Sequence, residues 1–116
     1  MTVRPSVWMT PLNRAEFFHA VFLHVFWKKA TLVDAEKALR AFDRNCQAEV
    51  WRQVEFPAET FARSIDLARR HGPTLGIRTL DSLHVACALE LKAERFWTFD
   101  ERQARLAEAV GLATGP

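Results

Sequence analysis

Residues 78–100 read RTLDSLHVACALELKAERFWTFD. An acid stands near each end, Asp81 and Asp100, and almost only apolar residues and helix formers lie between them. Thr79 is a good N-cap, so a helix is expected over about Leu80 to Leu91. Lys92 to Glu94 make a turn, and Arg95 to Phe99 (RFWTF) read as a buried strand. Asp100 then caps another helix, with Gln103 at the capping-box position. Leu106, Ala107 and Val110 are its apolar face, and Gly111 ends it. The first of these helices rises roughly 1.5 Å per residue and travels about 18 Å from Asp81. The strand returns about 16 Å, at roughly 3.3 Å per residue. A helix out and a strand back make Asp81 and Asp100 neighbours at one end.

Upstream, Ser6 to Thr10 (SVWMT) reads as a short strand ended by Pro11. Thr10 or Asn13 caps the next helix, expected from about Arg14 to Lys28, with Pro11 tolerated near its start. That helix is apolar nearly all round and is expected to be mostly buried. Asp34 opens a second helix, in which Ala35, Ala38, Leu39, Phe42, Cys46 and Val50 follow 3.6-residue spacing. Trp51 to Phe56 is ambiguous and holds at most a short extended piece. Pro57 starts a third helix with Phe61, Ile65 and Ala68 as its buried stripe. His71, Gly72 and Pro73 are expected to stop it. Helices dominate and two or three short strands alternate with them, which is an α/β class.

The chain has 116 residues, 49% hydrophobic and 26% charged, with a net charge of +2. That is ordinary globular composition and room for one domain, 1–116. The weak positive charge is compatible with a phosphate-seeking surface but does not demand one. Cys46 and Cys87 have neither CxxC spacing nor a secretory context. They read as free thiols in a reducing cytoplasm. MTVRPSVWMT lacks the apolar core of a signal peptide, and the apolar run Phe17 to Trp27 is too short to span a bilayer, so no membrane partner is expected. None of the helices is strongly basic, which sets a helical DNA-binding module aside.

Glu16 lies in the early turns of the helix that leaves SVWMT. If that strand runs parallel to RFWTF, Glu16 joins Asp81 and Asp100 at the carboxyl edge of the sheet, where open α/β sheets bind ligands. Three carboxylates there would repel one another, and a divalent cation relieves the repulsion. Oxygen-only ligands favour Mg²⁺ or Mn²⁺ over zinc. Such ions bind phosphates and activate water for phosphodiester hydrolysis. Each acid also has a structural reading. Asp100 serves as an N-cap, Asp81 complements a helix dipole, and Glu16 is an ordinary first-turn glutamate.

RTLDSLHVACAL, then ERFWTFDERQARLA and GL, is similar to the C-terminal half of PIN-domain proteins of the VapC toxin type. TPLNRAEFFHA resembles the segment that carries that family's second acid. The resemblance implies a helix-rich metal-dependent endoribonuclease fold, a short mostly parallel sheet flanked by helices. It places metal-ligand roles on Glu16, Asp81 and Asp100, with Mg²⁺ or Mn²⁺ as cofactor. Thr98, in the TFD motif, would be a nearby hydroxyl that helps position water or an acid. RNA would be the substrate and a small antitoxin protein the natural partner.

The family begins with a strand ending in an aspartate, and nothing here matches it. The expectation is a domain truncated at its N-terminus. Neighbouring strands sit about 4.8 Å apart, so losing a central one opens a gap of about 10 Å, too wide for backbone hydrogen bonds. SVWMT and RFWTF are therefore expected to close up and pair directly, or an intimate homodimer is expected to fill the slot. The alternative function is a non-catalytic degenerate PIN domain that binds a protein partner or a second copy of itself.

His84 stands one turn after Asp81 and reads as a core histidine or as a further site residue. His19 and His24 are spaced i,i+5 rather than the i,i+4 of a helical zinc pair, and read as structural or interface residues. Trp8, Trp27, Trp51 and Trp97 are expected in the core rather than stacked on bases. Arg78, Arg95, Arg102 and Arg105 lie near the acidic edge and read as phosphate contacts or as solvated surface.

Overall fold

The computed structural model describes residues 7–48, 51–98 and 100–115. The chain divides into two compact units, Met1–Glu55 and Phe56–Pro116. Five helices and four three-residue strands are present among the described residues, and the strands pair as two separate two-stranded parallel sheets. This is a helix-rich α/β architecture with short parallel strands, as the sequence implies.

In the first unit, β1 (Val7–Met9) leads into α1 (Pro11–Phe26), then α2 (Leu32–Gln47) and β2 (Trp51–Gln53). Thr10 and Asn13 cap α1 together: Thr10 Oγ1 accepts the Asn13 N–H at 3.1 Å, and Asn13 Oδ1 accepts the Thr10 N–H at 3.0 Å. Pro11 takes the first helical position, where its missing N–H costs nothing. The helix thus begins three residues before the expected Arg14. Thr31 and Asp34 form the equivalent box on α2, so Asp34 sits inside the first turn rather than opening it. Phe42 packs between the helices, stacked on Phe17 at 4.8 Å and edge-on to Phe18 at 5.8 Å. β1 and β2 pair in parallel, with Trp8 opposite Arg52. Of the ambiguous stretch Trp51 to Phe56, Trp51–Gln53 is therefore a strand.

Two expectations fail in this unit. α1 contains no buried residue, although it is apolar nearly all round. One neighbouring helix covers only one stripe of such a cylinder, the stripe that meets Phe42. Trp8 and Trp27 are exposed rather than in the core. Of the α2 stripe, Ala35 and Phe42 are buried and Ala38, Leu39 and Cys46 are half-buried. Val50 lies outside the described residues, as do the side chains of Trp51 and Trp97.

In the second unit, α3 (Thr60–Leu75) packs along α4 (Thr79–Glu90), followed by β3 (Arg95–Trp97), α5 (Glu101–Ala109) and β4 (Ala113–Gly115). Leu67, Val85, Ala86, Leu106 and Ala107 form the core. The α5 face is as expected, and β4, which the sequence did not announce, pairs in parallel with β3. Among the described residues, SVWMT and RFWTF therefore do not pair directly: β1 bonds β2 and β3 bonds β4. Residue Phe99, expected to end the second strand, lies outside the described residues.

Helix α3 departs most from its reading. Phe61 and Ile65, the expected buried stripe, are 61% and 65% exposed, and Ala68 is exposed too. The buried positions are Thr60, Ser64 and Leu67. The helix is rotated so that two hydroxyls, Thr60 and Ser64, face inward, and α4 answers the second: Ser64 and Ser82 meet at 2.6 Å between their Oγ atoms. Ser82 also donates to the Thr79 carbonyl at 2.9 Å. A serine hydroxyl has one proton, so Ser64 must be the donor to Ser82. Arg63 and Glu90 add an ion pair at 2.7 Å. Nor does α3 stop at Gly72. It runs through Pro73 to Leu75, because a proline in the last turn forfeits one helical hydrogen bond only. Gly76, at φ +61°, then takes the left-handed cap, its N–H donating to the Gly72 carbonyl at 2.9 Å.

Candidate carboxylate site

The two acids of the opening stretch both sit in the second unit, each at the head of a helix. Arg78, not Thr79, is the N-cap of α4, with φ −103° and ψ 168°. Thr79 is instead the first helical residue. The reason lies three residues on: Asp81 Oδ2 accepts the Arg78 N–H at 3.0 Å and stands 3.6 Å from Arg78 Nε. The Asp81 carboxylate is thereby anchored at the positive end of the helix. It is only 1% exposed, and a buried carboxylate without partners would be costly. Both contacts fall on Oδ2.

Asp100 is the N-cap of α5, as its sequence position implies. Its Oδ1 accepts the Arg102 N–H at 2.9 Å and the Gln103 N–H at 3.3 Å. Thr98 organises the approach: its hydroxyl accepts the Asp100 N–H at 2.9 Å and donates to Gln103 Oε1 at 3.2 Å. Gln103 thus bonds Thr98 as well as the Asp100 cap. The Thr98 hydroxyl therefore holds the backbone of an acid in place. Glu16 belongs to the first unit, in the second turn of α1, half-buried and with an interaction partner of its own.

Carboxylate oxygens such as those of Asp81 and Asp100 are the preferred ligands of a hard divalent cation. Among the described residues, no group of three His, Cys, Asp or Glu side chains is gathered as a metal cluster.

His84 is buried, as a core histidine should be, and has an interaction partner. His19 and His24 are both exposed; His19 Nδ1 lies 2.9 Å from the Ala15 carbonyl. Of the arginines, Arg78 is tied to Asp81 and Arg105 to Glu101 at 2.6 Å. Pairing Arg78 with Asp81 is the site feature that reading by residue type overlooked. The spacing i,i+3 across a helix start was its available signal.

The family model of the PIN domain matches residues 3–109. The chain belongs to the PIN-domain family. The PIN domain is generally a nuclease fold, and its members generally use divalent metal ions. Comparisons with curated proteins and with solved structures return no match. The matched range contains Glu16, Asp81, Thr98 and Asp100. No helix among the described residues is long and apolar enough to cross a membrane.

Proposed function

We propose that this PIN domain is a metal-dependent endoribonuclease of the VapC toxin type, acting in the cytoplasm with a small antitoxin as its protein partner. The observation that carries the reading is the buried Asp81 carboxylate, held at the head of α4 inside the family's matched range. The similarity of RTLDSLHVACAL and of the TFD motif to VapC-type toxins supports the finer assignment.

In this reading Glu16, Asp81 and Asp100 are the oxygen ligands of Mg²⁺ or Mn²⁺. When bound, such a cation polarises a phosphodiester and makes its water more acidic. Asp81 is pre-positioned by the Arg78 N–H, so little side-chain entropy is lost when it takes up a ligand. Thr98 keeps the Asp100 backbone in place beside the cap, leaving the carboxylate the choice between capping and ligation. RNA cleavage in Mg²⁺ or Mn²⁺ tests the proposal, comparing the chain with Asp81→Asn purified in the same way. Cleavage lost in the variant supports it, whereas no cleavage, or equal cleavage by both proteins, refutes it.

The contact between Arg78 and Asp81 favours a second reading. The buried acid already has a cationic partner and two contacts, so its burial is explained without a metal. A non-catalytic PIN relative that serves as an interaction or self-association module is the outcome that a failed cleavage experiment would leave.

A further inference from the structure

Arg78 holds Asp81 in two ways that can be separated. Its backbone N–H donates to Asp81 Oδ2 at 3.0 Å, and its guanidinium Nε lies 3.6 Å from the same oxygen. The first is a hydrogen bond. The second is too long for an N–H···O bond and is an ion pair held by charge alone. The pair is lopsided, because the Asp81 side chain is 2% exposed and that of Arg78 65%. Solvent already reaches most of the guanidinium, so swinging it away from the acid costs that partner little.

The acid does not follow it. The backbone N–H belongs to the N-cap of α4 and keeps the carboxylate in place wherever the side chain goes. Nor can the acid be left alone, since a buried carboxylate stripped of its counter-charge is strongly unfavourable. The guanidinium has no neutral form to fall back on. Its departure therefore requires the arrival of another cation. Both contacts crowd onto Oδ2, and among the described residues Oδ1 accepts no hydrogen bond. A fixed carboxylate with one oxygen open is what a hard cation takes as a ligand.

We propose that Arg78 is a displaceable counter-cation of Asp81: its guanidinium neutralises the buried acid when no metal is bound and gives way to a divalent cation. The proposal rests on the reading of Asp81 as a metal ligand, and it adds a competitor within the chain that sets how tightly the cation is held. Two positive charges at one carboxylate repel each other, so the Arg78 charge weakens cation binding. The same charge stabilises the fold without metal, because it compensates the buried acid. Removing it therefore moves two quantities in opposite directions: stability without metal falls and cation affinity rises. A residue that only braced the head of α4 would lower stability without raising affinity.

Calorimetric titration of Mn²⁺ into the chelator-treated full chain tests it, together with thermal melts in chelator and in saturating Mn²⁺. Arg78→Gln should bind Mn²⁺ about fivefold more tightly than wild type, the scale of a half-exposed ion pair. It should melt lower than wild type in chelator, and Mn²⁺ should shrink that deficit. Arg78→Lys keeps the charge and should stay within about twofold of the wild-type affinity. Arg69→Gln removes a charge from the exposed face of α3 and should leave the affinity unchanged. Asp81→Asn should abolish binding. Equal or weaker affinity in Arg78→Gln overturns the proposal, and the metal reading survives that result if wild type binds and Asp81→Asn does not. If neither wild type nor Arg78→Gln binds Mn²⁺, or if Asp81→Asn binds as well as wild type, the metal reading itself fails and this inference falls with it.

Discussion

Asp81 and Arg78 close the head of α4 on each other: the carboxylate accepts the Arg78 N–H at 3.0 Å while the guanidinium Nε stands 3.6 Å away. The same acid is thus a structural cap and the foremost candidate ligand. The two roles separate by substitution. Asp81→Asn keeps an oxygen for the Arg78 N–H and should lower stability by no more than about 1 kcal/mol, whereas Asp81→Ala, which also uncaps the helix, should cost about 1–3 kcal/mol. Urea unfolding measures both. If the nuclease reading holds, the two variants lose cleavage equally despite unequal stability.

Asp100 follows the same logic at α5. Asn is as good an N-cap as Asp, so Asp100→Asn should leave stability near wild type, while Asp100→Ala should cost about 0.5–2 kcal/mol. Thermal melts of the two variants are the check. A large loss in Asp100→Asn would mean that its charge, not its cap, holds the fold.

Ser64 and Ser82 meet at 2.6 Å in the buried seam between α3 and α4. Ser82→Ala leaves the Ser64 proton without its acceptor and should destabilise by about 1–3 kcal/mol. The double variant Ser64→Ala with Ser82→Ala removes both partners, so its loss should be smaller than the sum of the two single losses. A double-mutant cycle in urea measures that coupling. Strict additivity would show that the contact contributes nothing.

Burial pushes the Cys87 thiol above its ordinary value, and the neighbouring Thr60 hydroxyl offsets part of the rise. Thr60 Oγ1 itself, fully buried, meets no hydrogen-bond partner of ordinary geometry. A thiol whose pKa is raised on folding keeps its proton in the native state. Its stabilising effect is complete below the unfolded value of 9.0 and is lost as the pH climbs through the folded value. Cys87→Ala should therefore flatten the alkaline fall in melting temperature. Cys87 should also react with a thiol reagent more slowly than the half-buried Cys46. Faster labelling of Cys87 at neutral pH would contradict its burial.

Asp34 moves the other way. The Thr31 backbone N–H, and then the Thr31 hydroxyl, hold its carboxyl below its usual value of 3.8. A depressed carboxyl stabilises above its unfolded value, and that contribution fades as the pH falls through the folded one. The difference in melting temperature between wild type and Asp34→Ala should therefore narrow below pH 3.8. A constant difference across that range would show that the charge of Asp34 plays no part.

Local chemistry by itself determined a good deal here. The α4–β3–α5 order around Asp81 and Asp100, the Asp100 cap and the Leu106–Ala107 core face were all legible in the residues, because caps and helical periodicity act over three or four positions. So was the PIN resemblance, which rests on that same block. What packs against what was decided only in three dimensions. Phe61 and Ile65 carry the helical spacing of a buried stripe, yet α3 turns Ser64 and Leu67 inward. Spacing identifies a helical face without saying whether a neighbour covers it. The hydroxyl of Ser64 is acceptable inside only because Ser82, eighteen residues on, is there to meet it. Pro73 ends no helix because it falls in a last turn that Gly76 closes. The strand partners were likewise beyond the sequence. Three-residue strands have too few side chains to specify a register, so their pairing follows from where the helices around them pack.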